Sequence, residues 1–292
     1  MTRAGFRLAA ALAALAVFAT VTAAALPPGL PAAARAGERG GVDTQIVGGR
    51  VVAKPGAYPF VAAVDTLLYD GPQYCGGSLV APRFVMTAAH CVTDPGAEGT
   101  MPPEMLAVAI GETDLDQISR KDWLAVARVA VHPGYRPDLP VSPFDVALIE
   151  LREPVKGVPV VGLPAPGART AGRAGQRLTA LGWGAKYTAG PGSQLLRKVE
   201  LDVVKASECR DVYPDVDLLF RGAAHVCVYT VGKATCQGDS GGPLVATRDG
   251  RMVQVGIVSY GIGCAANGWP EVGTRVSNPE ILSWIRATAG MK

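Results

Sequence analysis

From Ile46 onward, the chain is a series of short apolar runs separated by Gly, Pro and Asp residues. Several runs alternate apolar with polar residues or are rich in β-branched residues, and none keeps a 3.6-residue period. This pattern predicts an all-β domain of short strands joined by turns. The runs that predict strands are residues 60–64, 78–87, 126–131, 145–151, 176–181 and 252–259.

The last segment of the chain has a helical pattern instead. Asn278 is a favourable N-cap residue, and Pro279 suits the first helical turn. The following apolar positions lie on one helical face: Ile281, Leu282 and Ile285. A Pro- and Gly-rich stretch at residues 155–175 predicts a link between two halves of the domain.

The N-terminal 45 residues have a different composition. Residues 1–25 combine Arg3 and Arg7, an apolar run and small residues at 23–25, which predicts a secretory signal peptide. The run is shorter than the about 20 residues that cross a bilayer, so an anchor helix is the less favoured alternative. Residues 26–45 are rich in Pro, Ala, Gly and Arg with few bulky apolar side chains, which predicts a flexible propeptide, followed by one domain at 46–292.

Charge and cysteine content narrow the classes of protein. A formal net charge of +3 is too small to indicate a nucleic-acid partner or a polybasic membrane anchor. Six cysteines in an exported chain indicate disulfides, and a zinc site is disfavoured because C-x-x-C and H-E-x-x-H are both missing. The Ala, Gly, Pro and Arg usage is typical of GC-rich bacterial genomes.

A candidate nucleophile lies in the string Gly238-Asp239-Ser240-Gly241-Gly242, where glycines leave the serine hydroxyl uncrowded. The string alone also fits the nucleophile elbow of α/β-hydrolases. Those enzymes need a histidine after the serine, and the last histidine of this chain is His225. The α/β-hydrolase alternative is therefore excluded.

A base and a carboxylate precede the serine. His90 ends a small-residue turn beside Cys91, and Asp145 stands at the head of an apolar strand. A partly buried carboxylate needs a partner, which an imidazole N–H can provide. The order His, Asp, Ser is that of the chymotrypsin type of catalytic triad.

The chain resembles the chymotrypsin/trypsin-like serine peptidases from Ile46 to about residue 287. The resemblance rests on five strings in order: Ile46-Val47-Gly48-Gly49, Cys75-Gly76-Gly77-Ser78-Leu79, Thr87-Ala88-Ala89-His90-Cys91, Asp145-Val146-Ala147-Leu148 and the string from Cys236 to Leu244. It implies two six-stranded antiparallel β-barrels packed together, with the active site between them and a C-terminal α-helix. It also implies an endopeptidase without a cofactor or a metal.

The resemblance assigns a role to each matching residue. Ser240 attacks the scissile carbonyl, His90 transfers the proton, and Asp145 holds the imidazole. The backbone N–H groups of Gly238 and Ser240 form the oxyanion hole. A further string pairs with the substrate backbone as an added strand: Ser259, Tyr260 and Gly261.

Disulfide pairs and an activation step follow from the same resemblance. The implied pairs are Cys75–Cys91, Cys209–Cys227 and Cys236–Cys264. Ile46 becomes the mature N-terminus, and its freed amine pairs with Asp239. Because Gln45 precedes Ile46, activation by a trypsin-like enzyme is not expected.

The residues of the substrate pocket depart from the family pattern. Ala234 stands where trypsin-like members carry an aspartate, which removes the usual reason for a Lys or Arg preference. Glu271 stands where most members have a glycine on the pocket wall, and some relatives with this swap accept basic as well as large apolar residues. The alternative is that Glu271 points away or is neutralised by another group.

Three other features are assigned surface roles. Glu112 and Asp114 follow Gly111 where some relatives bind calcium, but the acids after them do not match and no metal is expected. We expect His132 to be exposed and His225 to lie in a loop.

The sequence therefore predicts a secreted, extracellular, monomeric serine endopeptidase. Its partners are polypeptide substrates and protein protease inhibitors, with no nucleic acid and no membrane after processing. The alternative from another class is a catalytically inactive protease fold used for binding, which is disfavoured because His90, Asp145 and Ser240 are all present. A regulatory and a digestive specificity both remain open.

Overall fold

The structure is a computed structural model that describes residues 46–67, 74–93, 99–139, 142–168, 171–213, 220 and 222–291. The predicted signal peptide and propeptide, residues 1–45, lie outside these ranges. Within the described ranges, no helix combines the length and the apolar character that a membrane span requires.

Thirteen described strands and two α-helices build the domain. The strands are β1 (Arg50–Val51), β2 (Val61–Thr66), β3 (Tyr74–Ala81), β4 (Phe84–Thr87), β5 (Leu106–Ile110), β6 (Leu124–Val131), β7 (Ala147–Leu151), β8 (Arg177–Gly182), β9 (Arg197–Asp202), β10 (His225–Val228), β11 (Pro243–Arg248), β12 (Arg251–Tyr260) and β13 (Glu271–Arg275). The helices are α1 (Ala206–Val212) and α2 (Pro279–Thr288). The all-β prediction is confirmed.

The first half is a closed antiparallel barrel with the strand order β2-β3-β4-β7-β6-β5. The apolar run at 78–87, which reads as one strand in sequence, is two strands. Pro82 and Arg83 form a tight turn, and Ala81 pairs with Phe84 across it. Proline has no N–H to give to a sheet, so the run must break at this point.

The second half is a sheet with the strand order β1-β9-β8-β11-β12-β13-β10. The sheet curls so that β9 and β10 come together at one end, where Val203, just after β9, forms a β-bridge with Val228 at the end of β10. The Val204 N–H also donates to the Cys227 carbonyl at 3.0 Å. The predicted second barrel is therefore a curled sheet closed over a short distance, with β1 as an additional strand.

The C-terminal helix follows the prediction from the sequence closely. The Asn278 side chain accepts hydrogen bonds from the N–H groups of Glu280 and Ile281, which satisfies two free donors of the first turn. The apolar face is buried in the same cluster as the first barrel: Ile281, Leu282 and Ile285. Burial of each such side chain contributes about 1.5–3 kcal/mol.

Three disulfides join Cys75 to Cys91, Cys209 to Cys227 and Cys236 to Cys264. These are the three pairs that the family resemblance implies. The first joins β3 to the turn that carries His90, and the second joins α1 to β10. The third joins the segment before Ser240 to the loop after β12.

A buried polar contact links the two halves. The Ser78 hydroxyl on β3 donates to Gln254 Oε1 on β12 at 2.6 Å, and both residues are fully buried. Gln254 Nε2 donates to the Gly256 carbonyl at 3.1 Å, so the amide is satisfied at both ends. A satisfied buried amide fixes the register of the two halves because any shift would leave it without partners.

The Ser78→Ala variant is expected to lose about 1–3 kcal/mol of unfolding free energy, because Gln254 Oε1 loses its hydroxyl donor in a buried site. Urea unfolding of the Ser240→Ala background measures the loss without self-digestion. The exposed Ser207→Ala on α1 is the matched control and is expected to change stability by less than about 0.5 kcal/mol. Equal losses in the two variants would contradict a linking role for Ser78.

Candidate active site

His90 lies in a short 3-10 turn after β4, at Ala89–Cys91. The disulfide to Cys75 holds this turn against β3. The His90 backbone N–H donates to Asp145 Oδ1 at 2.9 Å, and the ring Nδ1 lies 2.7 Å from Asp145 Oδ2. Because an ionised carboxylate only accepts hydrogen bonds, Nδ1 carries the proton and Nε2 is left as a base.

Asp145 is buried at the point where the two halves meet. The Ser259 hydroxyl on β12 donates to Asp145 Oδ2 at 2.5 Å, and the Thr274 hydroxyl on β13 donates to the Asp145 backbone carbonyl at 2.8 Å. Burial tends to raise the pKa of Asp145, but the His90 charge and the hydrogen bonds from His90 and Ser259 hold it below its ordinary value. The carboxylate is therefore ionised although only 3% of the residue is exposed.

The same pair shifts the pKa of the imidazole in the opposite direction. Burial tends to lower the pKa of His90, whereas the charge and the hydrogen bond of Asp145 raise it, and the net shift is upward. His90 is thus a stronger base than a free histidine.

Ser240 lies in the glycine-rich turn before β11. Gly238 and Gly241 have φ values of +94° and +78°, a region that side chains with a Cβ rarely adopt. A Cβ on Gly241 would lie 2.2 Å from Thr87 Oγ1. The turn therefore lies closer to β4 than a residue with a side chain would permit. The Gly76 N–H donates to the Ser240 carbonyl at 2.7 Å and joins this turn to the first barrel.

A cavity of about 260 Å³ opens beside Ser240. Ser259 and Tyr260 also line a second cavity of about 290 Å³ with His90 and Asp145, so these two residues connect the surroundings of Ser240 with those of the histidine and the carboxylate. The first cavity is lined by Thr235, Cys236, Gln237, Ser240, Val258, Ser259, Tyr260, Gly261, Gly263, Cys264 and Glu271. The residues predicted to contact substrate therefore lie around it, apart from Ala234, which is fully buried and is not part of the lining.

Glu271 faces the first cavity with its carboxylate held by Thr235. The Thr235 backbone N–H donates to Oε2 and its hydroxyl donates to Oε1, both at 2.9 Å. Burial raises the pKa of Glu271 to about 8, and the nearby Asp239 charge adds to the rise, although the Thr235 hydrogen bonds oppose it. The pocket therefore contains a carboxyl group that is mostly protonated at neutral pH.

Asp239 is fully buried next to the serine. Its oxygens accept hydrogen bonds from the N–H groups of Gly184 and Cys236, each at 2.8 Å. A Cβ on Gly182 would lie 2.1 Å, and one on Gly184 2.4 Å, from atoms of the Asp239 carboxyl group. Only glycine at these two positions leaves room for that carboxyl group. Burial raises the pKa of Asp239 to about 7, because these two hydrogen bonds only partly offset the desolvation.

The segment that begins at Ile46 packs beside this site. Ile46 is fully buried in the core of the second half. The Val47 carbonyl accepts a hydrogen bond from the Ala234 N–H at 3.0 Å, and a Cβ on Gly48 would lie 2.4 Å from the Gly232 carbonyl oxygen. The start of the described chain thus contacts the loop that leads to the pocket and to Asp239.

Two histidines differ from the sequence expectation. His132 is 2% exposed, because its ring stacks on Phe144 at 4.7 Å and meets the edge of Trp284 on α2. His225 lies in β10 and is also buried. Aromatic side chains pack against both rings, Phe144 and Trp284 against His132 and Phe220 and Tyr260 against His225.

Three residues of the site were not predicted from the sequence: Thr235, Gly182 and Gly184. Of these, only Thr235 had a local signal, its position next to Ala234.

The described residues contain one cluster whose spacing would suit a metal ion: Cys75, His90 and Cys91. Its two cysteines are bonded to each other in a disulfide. Asp114 caps a 3-10 turn by accepting from the Asp116 N–H.

Comparisons with known proteins identify relatives over most of the chain. Proclotting enzyme of Tachypleus tridentatus is 34% identical over 271 residues, covering 89% of this chain and 70% of that protein. Trypsin-1 of Astacus astacus is 33% identical over 249 residues, covering 84% of this chain and all of that protein. Coagulation factor XII of Bos taurus is 34% identical over 256 residues, but the chain spans only 39% of its length.

These relatives are eukaryotic, so they do not support the bacterial origin suggested by residue usage. The family described as Trypsin matches residues 46–285, which include the His90, Asp145 and Ser240 segments. The chain therefore belongs to the trypsin family of serine endopeptidases.

Proposed function

We propose that this protein is a secreted endopeptidase that hydrolyses polypeptides with Ser240 as nucleophile, His90 as general base and acid, and Asp145 as the group that orients His90. The observation that supports this proposal most directly is the hydrogen bond of 2.7 Å between His90 Nδ1 and Asp145 Oδ2 beside the Ser240 turn. The raised pKa of His90 and the lowered pKa of Asp145 are the shifts that this division of roles requires.

In the proposed reaction, Ser240 Oγ attacks the scissile carbonyl carbon while His90 Nε2 takes its proton. His90 then returns that proton to the leaving amine, and the C–N bond breaks to give an acyl-enzyme and a free amine. Water hydrolyses the ester by the same steps. Asp145 remains ionised throughout and stabilises the imidazolium that forms in each half-reaction.

The proposed oxyanion hole consists of the backbone N–H groups of Gly238 and Ser240. The positive φ of Gly238 turns the chain so that successive N–H groups can converge, which a residue with a Cβ would resist. Loss of one such donor typically costs about 2.7–4 kcal/mol in the transition state.

The substrate is proposed to lie along Ser259, Tyr260 and Gly261 as an added strand, with the side chain before the scissile bond in the first cavity. The walls of that cavity combine apolar surface, from Val258, two glycines and the Cys236–Cys264 disulfide, with hydroxyl and amide side chains, and Glu271 adds a carboxyl group. A neutral Glu271 suits large apolar side chains, whereas an ionised Glu271 pairs with Lys or Arg. We therefore infer a dual preference.

In the proposed precursor, the signal peptide at 1–25 directs export and is removed. The propeptide at 26–45 then accompanies the domain into an oxidising, extracellular compartment, in which its three disulfides are stable. Cleavage before Ile46 by an enzyme that accepts Gln45 frees an amine, which pairs with the buried Asp239 and shapes the oxyanion hole. The mature enzyme is proposed to act as a monomer, with protein protease inhibitors as further partners.

The Asp145→Asn variant is expected to lower kcat roughly 10³–10⁴-fold, because the carboxylate no longer holds His90 in the reactive tautomer. In the wild type, kcat/KM is expected to rise with pH as His90 loses its proton, with a His90 pKa above 6.5. In the variant the His90 pKa is expected to be lower, because the Asp145 charge that raises it is gone. Steady-state kinetics from pH 5 to 9 measure both effects. Asp138→Asn, an exposed carboxylate paired with Arg136, is the matched control and should match the wild type.

The Glu271→Gln variant is expected to lower kcat/KM for Lys and Arg before the scissile bond by roughly 10–100-fold, because one charge-assisted contact is lost. Phe and Leu substrates should change little. In the wild type, the ratio of kcat/KM for the Lys substrate to that for the Phe substrate should rise between pH 6 and 9, because Glu271 ionises with a pKa of about 8. In the variant this ratio should not change with pH.

The measurement uses a set of peptides that differ only at the residue before the scissile bond. His90 titrates equally for both substrates and cancels in the ratio. Glu280→Gln on the exposed start of α2 is the control. Cleavage after apolar residues alone, with no change in Glu271→Gln, would show that Glu271 is structural.

The form that starts at Ile46 is expected to be more stable and far more active than the form extended to Gln45. In the extended form, Asp239 has a raised pKa, so the stability that its protonation provides at low pH is lost as pH rises through about 7. The freed amine offsets this loss by pairing with the carboxylate.

Thermal unfolding of both forms in the Ser240→Ala background is the measurement. At pH 7 the processed form should have a Tm higher by at least roughly 2–4 °C, equivalent to about 1 kcal/mol. Asp239→Asn should remove the difference. Equal Tm values, together with equal activity of the two Ser240 forms, would overturn the activation proposal.

A further inference from the structure

The residue that precedes the proposed cleavage point, Gln45, has a neutral amide side chain. Its carbonyl oxygen accepts hydrogen bonds and its NH₂ group donates them. An amide that enters a cavity needs partners of both kinds, because a polar group without a partner is costly to remove from water. An enzyme that cleaves before Ile46 must therefore offer one donor and one acceptor in the pocket for the residue before the scissile bond.

The cavity beside Ser240 can provide both from one side chain. Among the described residues that line it, Glu271 is the only one with a carboxyl group. A Cβ on Gly261 would lie 3.5 Å from Glu271 Cγ, so this side chain lies beside the proposed strand for the substrate. A neutral carboxyl group has an O–H donor on one oxygen and an acceptor on the other. It can therefore form two parallel hydrogen bonds with an amide, one in each direction.

Thr235 orients this carboxyl group and leaves it capacity for a ligand. The Thr235 N–H donates to Oε2 and its hydroxyl donates to Oε1, both at 2.9 Å. A carboxyl group has about four hydrogen-bonding positions, so the ones that Thr235 does not use remain for the cavity. Burial raises the pKa of Glu271 to about 8, so at neutral pH the group is mostly in the neutral form that matches an amide.

The amide that enters this cavity comes from a different molecule. In the described arrangement, Ile46 is fully buried in the core of the second half, and the Val47 carbonyl accepts from the Ala234 N–H at 3.0 Å. A chain that placed Gln45 in its own cavity would have to give up these contacts. A second copy of the chain, in its precursor form, meets no such restriction.

We propose that the cavity beside Ser240 binds the Gln45 side chain of a second copy, and that processed molecules in this way cleave the precursor before Ile46. This inference rests on the proposed function of the same site. Ser240 attacks the Gln45 carbonyl carbon, and the bond to Ile46 breaks with its amine as the leaving group. Water then hydrolyses the ester and releases Gln45 as a carboxylate. The Glu271 O–H donates to Gln45 Oε1, and Gln45 Nε2 donates to the other carboxyl oxygen.

Ionisation of Glu271 should then have opposite effects on two kinds of substrate, because an amide needs the neutral form and Lys needs the charged form. The groups that act on Glu271 are Thr235 through hydrogen bonds and Asp239 through its charge. Tyr213 is also close, but it keeps its proton because its pKa is raised to about 12. Relative to a Phe substrate, kcat/KM for a Gln substrate should fall about 2–10-fold as pH rises through about 8.

The experiment gives processed enzyme, residues 46–292, two kinds of substrate. The first is a precursor that starts at residue 26 and carries Ser240→Ala, so it cannot cleave itself, and mass spectrometry of the products locates the cut. The same precursor with Gln45→Glu is the matched control. The second is a set of peptides with Gln, Lys or Phe before the scissile bond, assayed from pH 6 to 9.

The enzymes are the wild type, Glu271→Gln and Glu271→Met, with Glu280→Gln on the exposed start of α2 as the control. Processed Ser240→Ala reports any contaminating protease. The readout for the peptides is the ratio of kcat/KM for Gln to kcat/KM for Phe. Changes that affect every substrate, such as the titration of His90, cancel in this ratio.

The wild type should cut the precursor between Gln45 and Ile46, and Gln45→Glu should slow this cut roughly 10–100-fold, because the NH₂ donor is replaced by a charge. The Gln-to-Phe ratio should fall roughly 5–50-fold in Glu271→Met, which is similar in length and lacks both hydrogen-bonding groups. It should stay within about 3-fold of the wild type in Glu271→Gln and lose its pH dependence, because an amide donates and accepts at every pH. Glu280→Gln should match the wild type.

Cleavage of the Phe peptide without cleavage of the Gln peptide and the precursor would overturn the inference and leave the proposed function intact. A Gln-to-Phe ratio that is the same in Glu271→Met and the wild type would also overturn it. A wild type that cleaves no peptide would instead contradict the proposed function. The pH dependence of the ratio in the wild type and in Glu271→Gln keeps the test decisive if Glu271→Met folds poorly.

Discussion

The buried carboxylate of Asp145 is the group on which the arrangement of the site depends. It receives hydrogen bonds from His90 in the first half of the domain and from Ser259 in the second, and Thr274 holds its backbone carbonyl. A buried charge that loses its partners costs about 3–5 kcal/mol. The two halves must therefore meet in one relative position, and that position is the one that aligns the imidazole.

Three carboxyl groups lie around the Ser240 turn and its cavities, two of them on buried residues and one, Glu271, on a half-buried residue, and their environments differ. Asp145 has a histidine partner and a lowered pKa, whereas Asp239 and Glu271 have hydrogen-bond donors alone and pKa values raised to about 7 and 8. Hydrogen bonds from neutral groups offset only part of the desolvation of a carboxylate. The difference assigns the three groups to different proposed tasks: a permanent charge, a charge that awaits the amine of Ile46, and a charge that depends on the substrate.

Close backbone approaches explain why the turns around the serine are rich in glycine. Gly241 lies against Thr87 and Gly184 against Asp239, at distances that leave no room for a Cβ. The Cys75–Cys91 and Cys236–Cys264 disulfides anchor the segments on either side. The rigid frame therefore extends from the histidine turn to the serine turn.

The sequence by itself determined the features that depend on neighbours along the chain. These are the all-β class, the capped C-terminal helix, and the candidate residues His90, Asp145 and Ser240, whose order excludes an α/β-hydrolase. The tertiary structure decided that Thr235 holds Glu271, that Ala234 is buried away from the cavity, and that Tyr74 stacks on Trp123. Such contacts depend on strand register and barrel closure. A pattern with a period of two assigns residues to faces of a strand, but it contains no information about which distant strand lies opposite.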